Sequence, residues 1–181
     1  MNSIAYYQNQ AQAYFEQTFN VDPASFLMPL VKHLPPGSKV LDIGCGSGRD
    51  MLWLQNRGFY CTGLDCSPDL SALAKEKTGL SVLEADFEYF DFSQMQMDAL
   101  LLVGALVHLP QTRFLPVLKR ILQALNSGGL LLITMKQGQG VKQAPDGRVF
   151  YLWQKEDLLP IFAELNLFLI ESFDQTSKIR Q

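Results

Sequence analysis

Positive charge is scarce in this chain. Fifteen Lys and Arg stand against eighteen Asp and Glu, a formal net charge of −3, which excludes a broad cationic face for sequence-independent nucleic-acid binding. Long apolar runs are missing as well. The best candidate, residues 99–107, stops at His108, well short of the roughly 18–20 residues that cross a bilayer as a helix. Cysteine and histidine are few. Cys45, Cys61 and Cys66 form no CxxC pair and His33 and His108 lie far apart, so neither a disulfide framework nor a local metal site is expected. The first ten residues, MNSIAYYQNQ, have neither the positive start nor the apolar stretch of a secretory signal. The expectation is a soluble, cytoplasmic protein with a small-molecule partner rather than a membrane or nucleic acid, present as a monomer or weak homodimer.

What remains is ample for a core. At 181 residues with 48% apolar and 11% aromatic content, the chain suits one packed domain. Residues 1–36 read as an N-terminal helical cap or lid: a helix over 5–19, then a second behind Asp22-Pro23 that ends at Pro35-Pro36-Gly37. From residue 37 onward short apolar runs alternate with helical patterns. Strands are expected at 39–43, 59–64, 80–85, within 97–107, at 130–135 and near 167–173. Helices are expected at 50–57, 68–78, 111–125 and 155–165, with Ser67-Pro68 and Gly79 as caps. Strands alternating with helices, each strand continuously apolar, predict an α/β fold: a Rossmann-like, doubly wound, mostly parallel sheet in three α-β-α layers. In such a sheet the ligand sits at the carboxyl ends of the strands.

The residues just after the strands are therefore the informative ones. The first strand runs into Asp42-Ile43-Gly44-Cys45-Gly46-Ser47-Gly48-Arg49-Asp50. Glycines at alternate positions allow tight turning and close approach of backbone to a ligand, at the start of a helix with free N–H groups. The dinucleotide fingerprint has its last glycine one place later, where this chain has Arg49. The second strand ends at Asp65, spaced to accept hydrogen bonds from both hydroxyls of a ribose; a loop or helix-capping aspartate is the plainer reading. The third is followed by Asp86-Phe87, either a carboxylate and ring for an adenine or a strand-end acid beside a core Phe. Three acids at successive strand ends suit a phosphate-free, positively charged nucleoside and would repel a pyrophosphate.

These segments resemble the class I S-adenosylmethionine-dependent methyltransferases, over about residues 40–169. VLDIGCGSGRD looks like that family's first motif, LDCSPDL its second and EADF its adenine-side segment. MDALLLVGALVHLP and LNSGGLLLITMK look like its fourth-strand and fifth-strand segments. The likeness leans toward small-molecule methyltransferases, including the tellurite-resistance type. The resemblance implies S-adenosyl-L-methionine as cofactor. It sets Gly44, Cys45, Gly46 and Gly48 along the methionine portion, with Asp42 reaching its amino group and Asp50 helping to fix the loop. Asp65 would take the ribose, Cys66 would lie beside the adenosine, Asp86 and Phe87 would hold the adenine, and Val103 would offer its carbonyl near the methionine amine. One feature departs from the family: after Phe173 only eight mostly polar residues remain, so its final antiparallel strand is expected to be missing.

Methyl transfer from a sulfonium is an in-line displacement, so positioning dominates and a base is needed only for a protonated acceptor. His108 follows the fourth strand and either orients or deprotonates the acceptor, or simply bonds nearby backbone. Tyr6, Tyr7 and Tyr14 read as a lid over the cofactor or as packing of the first helix. Lys136 and Arg148 either line an acceptor pocket, Arg148 suiting an anion, or are solvated surface charges. The competing functions are a binding module that methylates nothing and a nicotinamide-dependent oxidoreductase.

Overall fold

The computed structural model describes residues 3–176. A five-stranded parallel sheet forms the centre, in the order β3-β2-β1-β4-β5, from β1 (Lys39–Ile43), β2 (Tyr60–Asp65), β3 (Ser81–Glu84), β4 (Met97–Val103) and β5 (Leu125–Thr134). The connections turn back at β1, so β1 and β4 lie side by side and their carboxyl ends flank the crevice where doubly wound sheets take ligands.

Alternation along the central strands builds two core layers. Val40, Ala99 and Leu101 face one side and pack with Leu27, Leu30, Met51, Leu54 and Ala74. These belong to or flank α3 (Ala24–Val31), α4 (Arg49–Gln55) and α5 (Pro68–Thr78). Leu41, Ile43, Leu100 and Leu102 face the other side, against Phe114, Leu118 and Ile121 of α6 (Gln111–Ile121). Both faces are covered, which is why β4 is apolar without a break from Ala99 and β1 is apolar from Val40 to Ile43 save for the buried Asp42. Helix α4 packs so closely on β2 that a Cβ at Gly63 would lie 2.6 Å from the Met51 sulfur.

The caps behave as their sequences dictate. The Ser67 hydroxyl accepts from the Leu70 amide at the start of α5, Pro68 opens that helix, and Gly79 closes it in the left-handed conformation. Asp22 accepts from the Ala24 amide before α3.

Four local expectations are corrected. The single N-terminal helix is two, α1 (Ser3–Asn9) and α2 (Ala11–Thr18), because the backbone at Gln10 leaves the helical region. β5 begins at Leu125 rather than 130: Met97 pairs with Leu125 and Ala99 with Leu130, so the Ser-Gly-Gly stretch bulges within the strand instead of preceding it. The polar loop after β5 holds a hairpin, β6 (Val141–Gln143) with β7 (Val149–Tyr151), antiparallel. Finally, no strand forms at 167–173. Beyond α7 (Lys155–Glu164) and a left-handed Asn166, the chain runs irregularly to Thr176 with Phe168 89% exposed. Apolar, β-prone composition makes a strand only when a partner pairs with it. The described residues after 166 supply none, so β5 is the edge of the sheet. No described helix is long and apolar enough to cross a membrane.

Candidate cofactor and acceptor site

The loop after β1 is shaped by three left-handed glycines, Gly44, Gly46 and Gly48. Each faces something different. A Cβ on Gly44 would meet Ala105 at 2.9 Å, in the segment after β4, and one on Gly46 would meet the Tyr14 ring at 3.2 Å. Gly48 faces α5, its missing Cβ within 3.1 Å of Ala74 and Thr78. Two of the glycines thus border the crevice, and the third seats the loop on a helix.

Asp65, at the end of β2, organises the loop from the other side. One carboxylate oxygen accepts from the Gly46 amide at 2.8 Å and the other from the Ser67 amide at 2.9 Å. Each oxygen keeps a further acceptor position. Burial pushes this carboxyl above its ordinary range, and the hydrogen bonds from Ser67, Gly46 and Cys66 pull the other way.

Asp42 is 2% exposed, and its Oδ2 has no hydrogen-bond partner. Burial, with Asp50 and Asp65 nearby, raises it well above the usual carboxylate value, while Arg49 lowers it. Asp50 itself is engaged: Arg49 donates to its two oxygens at 2.6 and 3.1 Å. The guanidinium also lies 5.3 Å from the centre of the Phe26 ring.

Of the candidate site and lid residues singled out from sequence, all but Tyr6, Asp42 and Gly48 border one continuous cleft. Cys66, Asp86, Phe87 and Val103 are half-buried along it. Burial, then Asp65 and Asp86, pushes the Cys66 thiol up to about 11, so it is a neutral, unreactive group. Tyr14 carries a hydroxyl driven upward by burial. The cleft runs on beside the open edge of β5, and the whole cavity measures about 1780 Å³. That exceeds the roughly 300–1,000 Å³ of an ordinary ligand pocket, as the uncovered sheet edge requires.

At the far end His108 sits in a chain of hydrogen bonds. Its Nδ1 lies 2.6 Å from the Val149 carbonyl, which only accepts, so Nδ1 carries the proton and Nε2 is free to accept. The Tyr7 hydroxyl, 3.0 Å from Nε2, donates to it. Tyr7 in turn accepts from Arg148. Burial, then Arg148 and Lys136, keeps the imidazole below its usual pKa and therefore neutral at physiological pH.

Arg148 departs from the expectation of a solvated charge. It is 6% exposed, donates to Asp146 Oδ2 through Nε at 3.0 Å and a terminal nitrogen at 2.6 Å, and stacks 4.3 Å from the Tyr6 ring centre. The short separation of Asp146 and Arg148 in sequence was the available signal for that pair. Nothing in sequence pointed to the Val149 carbonyl or to Arg49 holding Asp50.

The arrangement fits a cationic, phosphate-free nucleoside. An orphaned buried carboxyl oxygen at Asp42, with Asp65 and Asp86 on the cleft, favours positive charge, and the left-handed Gly44 and Gly46 bring main chain to the cleft wall. Comparison with known proteins agrees. The family described as a methyltransferase domain matches residues 40–129. The chain belongs to the class I S-adenosylmethionine-dependent methyltransferases. An uncharacterized protein of Methanocaldococcus jannaschii is 33% identical over 112 residues, 61% of this chain and 42% of that one. This chain therefore spans less than half the length of that relative. A TehB-like SAM-dependent methyltransferase from Corynebacterium glutamicum has a similar fold, with a TM-score of 0.67 at 24% identity, over 89% of this chain and 83% of the other. So has the Burkholderia thailandensis 1,6-didemethyltoxoflavin-N1-methyltransferase with bound 1,6-didemethyltoxoflavin and S-adenosylhomocysteine. Its TM-score is 0.68 at 19% identity, over 90% and 73% of the two chains.

The buried acids give this protein a signed pH dependence. Asp42 and Asp65 bind protons more tightly folded than unfolded, so their contribution to the stability of the unliganded protein is lost as pH rises through their raised values. A cationic ligand offsets that loss most where the carboxyls are ionised. The rise in Tm with S-adenosylmethionine is therefore expected to be larger at pH 8 than at pH 5.5, and smaller in its pH dependence for Asp42→Asn. Differential scanning fluorimetry checks both; a larger shift at pH 5.5 would contradict the assignment.

Proposed function

We propose that this protein transfers a methyl group from S-adenosylmethionine to a small soluble acceptor by in-line displacement. The observation that carries the reading is the meeting of Gly44, Gly46 and Asp65 at the β1/β4 crevice, with Tyr14 against the loop. When bound, the cofactor supplies an electrophilic methyl on a sulfonium. The chain's own residues hold it. Gly44, Cys45 and Gly46 let the main chain lie against the methionine portion, and Gly48 fixes the loop on α5. Asp65 accepts from the ribose hydroxyls with the acceptor positions its two amide bonds leave. Asp86 and Phe87 take the adenine, with Cys66 and Val103 beside the ligand. Asp42, buried behind the cleft wall, acts on the ligand's positive charge through water or at a distance, and Asp50 keeps Arg49 in place.

The N-terminal segment 1–36, of which residues 1–2 lie outside the described residues, acts as a cap: Tyr7 and Tyr14 stand edge to face with ring centres 5.1 Å apart, over the loop on one side and His108 on the other. His108 Nε2 accepts the acceptor's proton when it arrives protonated, taking the place of the Tyr7 hydrogen bond. Lys136 and Arg148 belong to the acceptor wall. The bound 1,6-didemethyltoxoflavin in the Burkholderia structure supports a small acceptor in this fold. Three free cysteines suit the cytoplasm, and the working form is a monomer or weak homodimer. The test is release of S-adenosylhomocysteine from S-adenosylmethionine across a panel of small acceptors, followed chromatographically. Turnover with at least one acceptor supports catalysis; tight binding without turnover on any acceptor favours a binding module.

A further inference from the structure

The two walls of the cleft carry opposite charge. Asp65 and Asp86 line the side by the glycine loop, and Lys136, Lys142 and Arg148 line the side by β5 and the β6–β7 hairpin. The basic side is only partly neutralised. Arg148 is consumed by Asp146 and by the Tyr7 hydroxyl. Lys136, by contrast, has no carboxylate within ion-pair distance among the described residues. Its ammonium stands 4.6 Å from the centre of the Phe150 ring, on which Arg148 (5.5 Å) and His108 (4.6 Å between centres) also converge. Three groups thus share one buried aromatic shelf, and Lys136, the cation of the three without an ion pair among the described residues, is beside the histidine that faces the acceptor.

We infer that Lys136 and the Phe150 shelf select acceptors bearing an oxyanion, a carboxylate or a phosphonate-type group, docked on Lys136 while the nucleophilic atom points toward His108. The inference rests on the methyl-transfer reading of the same site and adds the acceptor's charge. Its physical basis is complementarity. Lys136, Lys142 and Arg148 repel one another, which is part of why the Lys136 ammonium is held below its ordinary pKa, burial being the larger part. A bound anion relieves that repulsion and meets a half-desolvated cation, where charge-assisted hydrogen bonds are strong. Arg148 is not the docking group, because its charge is paired with Asp146 and three of its five donors are held by Asp146 Oδ2 and the Tyr7 hydroxyl. It is a positioning residue that holds Tyr7 against His108.

The experiment titrates benzoate, phenylphosphonate and benzamide, three probes of similar shape, into protein saturated with S-adenosylhomocysteine, with calorimetry as the readout. Benzoate or phenylphosphonate is expected to bind at least tenfold more tightly than benzamide, and whichever oxyanion binds better identifies the headgroup. Lys136→Met is expected to abolish that preference while leaving S-adenosylhomocysteine affinity within twofold, and Lys136→Arg is expected to retain it. A melting curve for each variant guards against misfolding. Equal affinity for charged and neutral probes, no binding of either oxyanion at millimolar concentration, or an intact preference in Lys136→Met overturns the inference. S-adenosylhomocysteine binding without oxyanion preference defeats it alone, whereas failure of S-adenosylhomocysteine to bind defeats the methyl-transfer reading beneath it.

Discussion

Asp65→Ala is expected to weaken S-adenosylhomocysteine binding by more than tenfold. A carboxylate accepting from two ribose hydroxyls makes charge-assisted hydrogen bonds worth about 1.5–3 kcal/mol each, so a loss nearer 100-fold is in range. The substitution has a second cost. Asp65 also accepts from the Gly46 and Ser67 amides, both in a buried setting. Leaving such donors unpaired costs about 1–3 kcal/mol apiece, and the unliganded protein should melt earlier as well. Asp65→Asn separates the two effects. It keeps an acceptor oxygen for one amide and removes the charge, so it should recover part of the stability and less of the affinity. Calorimetry and melting curves on the two variants read these quantities independently. An alanine variant that binds the ligand as tightly as wild type removes Asp65 from the site.

His108→Ala is expected to lower turnover by about 10²–10⁴-fold if the imidazole takes the acceptor's proton, with cofactor affinity nearly unchanged. The geometry already fixes what the imidazole can do. With Nδ1 donating to the Val149 carbonyl and Tyr7 donating to Nε2, the lone pair at Nε2 is the only basic position, and it faces the lid. Burial, with Arg148 and Lys136 nearby, holds the pKa below the ordinary 6.5. Turnover should therefore rise with pH along an acid limb centred below about 6.5 and stay flat toward neutrality. His108→Ala should abolish that limb along with the rate. Normal turnover in the variant means that the histidine only ties β7 to the segment after β4.

Much of the architecture was readable because it rests on local chemistry. β1, β2 and β4 are apolar runs bounded by Gly, Pro or Asp, and α5 carries its own signals in Ser67-Pro68 and Gly79. Positions at strand ends follow from the parallel topology, which puts Gly44, Gly46, Asp65 and Asp86 at one end of the sheet, and all four border the cleft. What escaped depends on pairing across long separations. Tyr7 meets His108 across 101 positions and His108 meets the Val149 carbonyl across 41, and no spacing rule reaches that far. Arg148 looked like a loop cation because nothing local says that Tyr6 and Asp146 will enclose it. The segment 167–173 has the composition of a strand, but pairing is a property of two segments, and composition reports on one. Gly48 matched a ligand-facing pattern, yet its direction is set by how α5 packs.

The central claim is that the crevice between β1 and β4 receives S-adenosylmethionine. Titrating S-adenosylhomocysteine and, separately, NADH into the folded protein by calorimetry tests it most directly. The account predicts saturable one-to-one binding of the thioether nucleoside and no heat from the dinucleotide, whose pyrophosphate would meet Asp65 and Asp86. Silence with S-adenosylhomocysteine, or tighter binding of NADH, would contradict it.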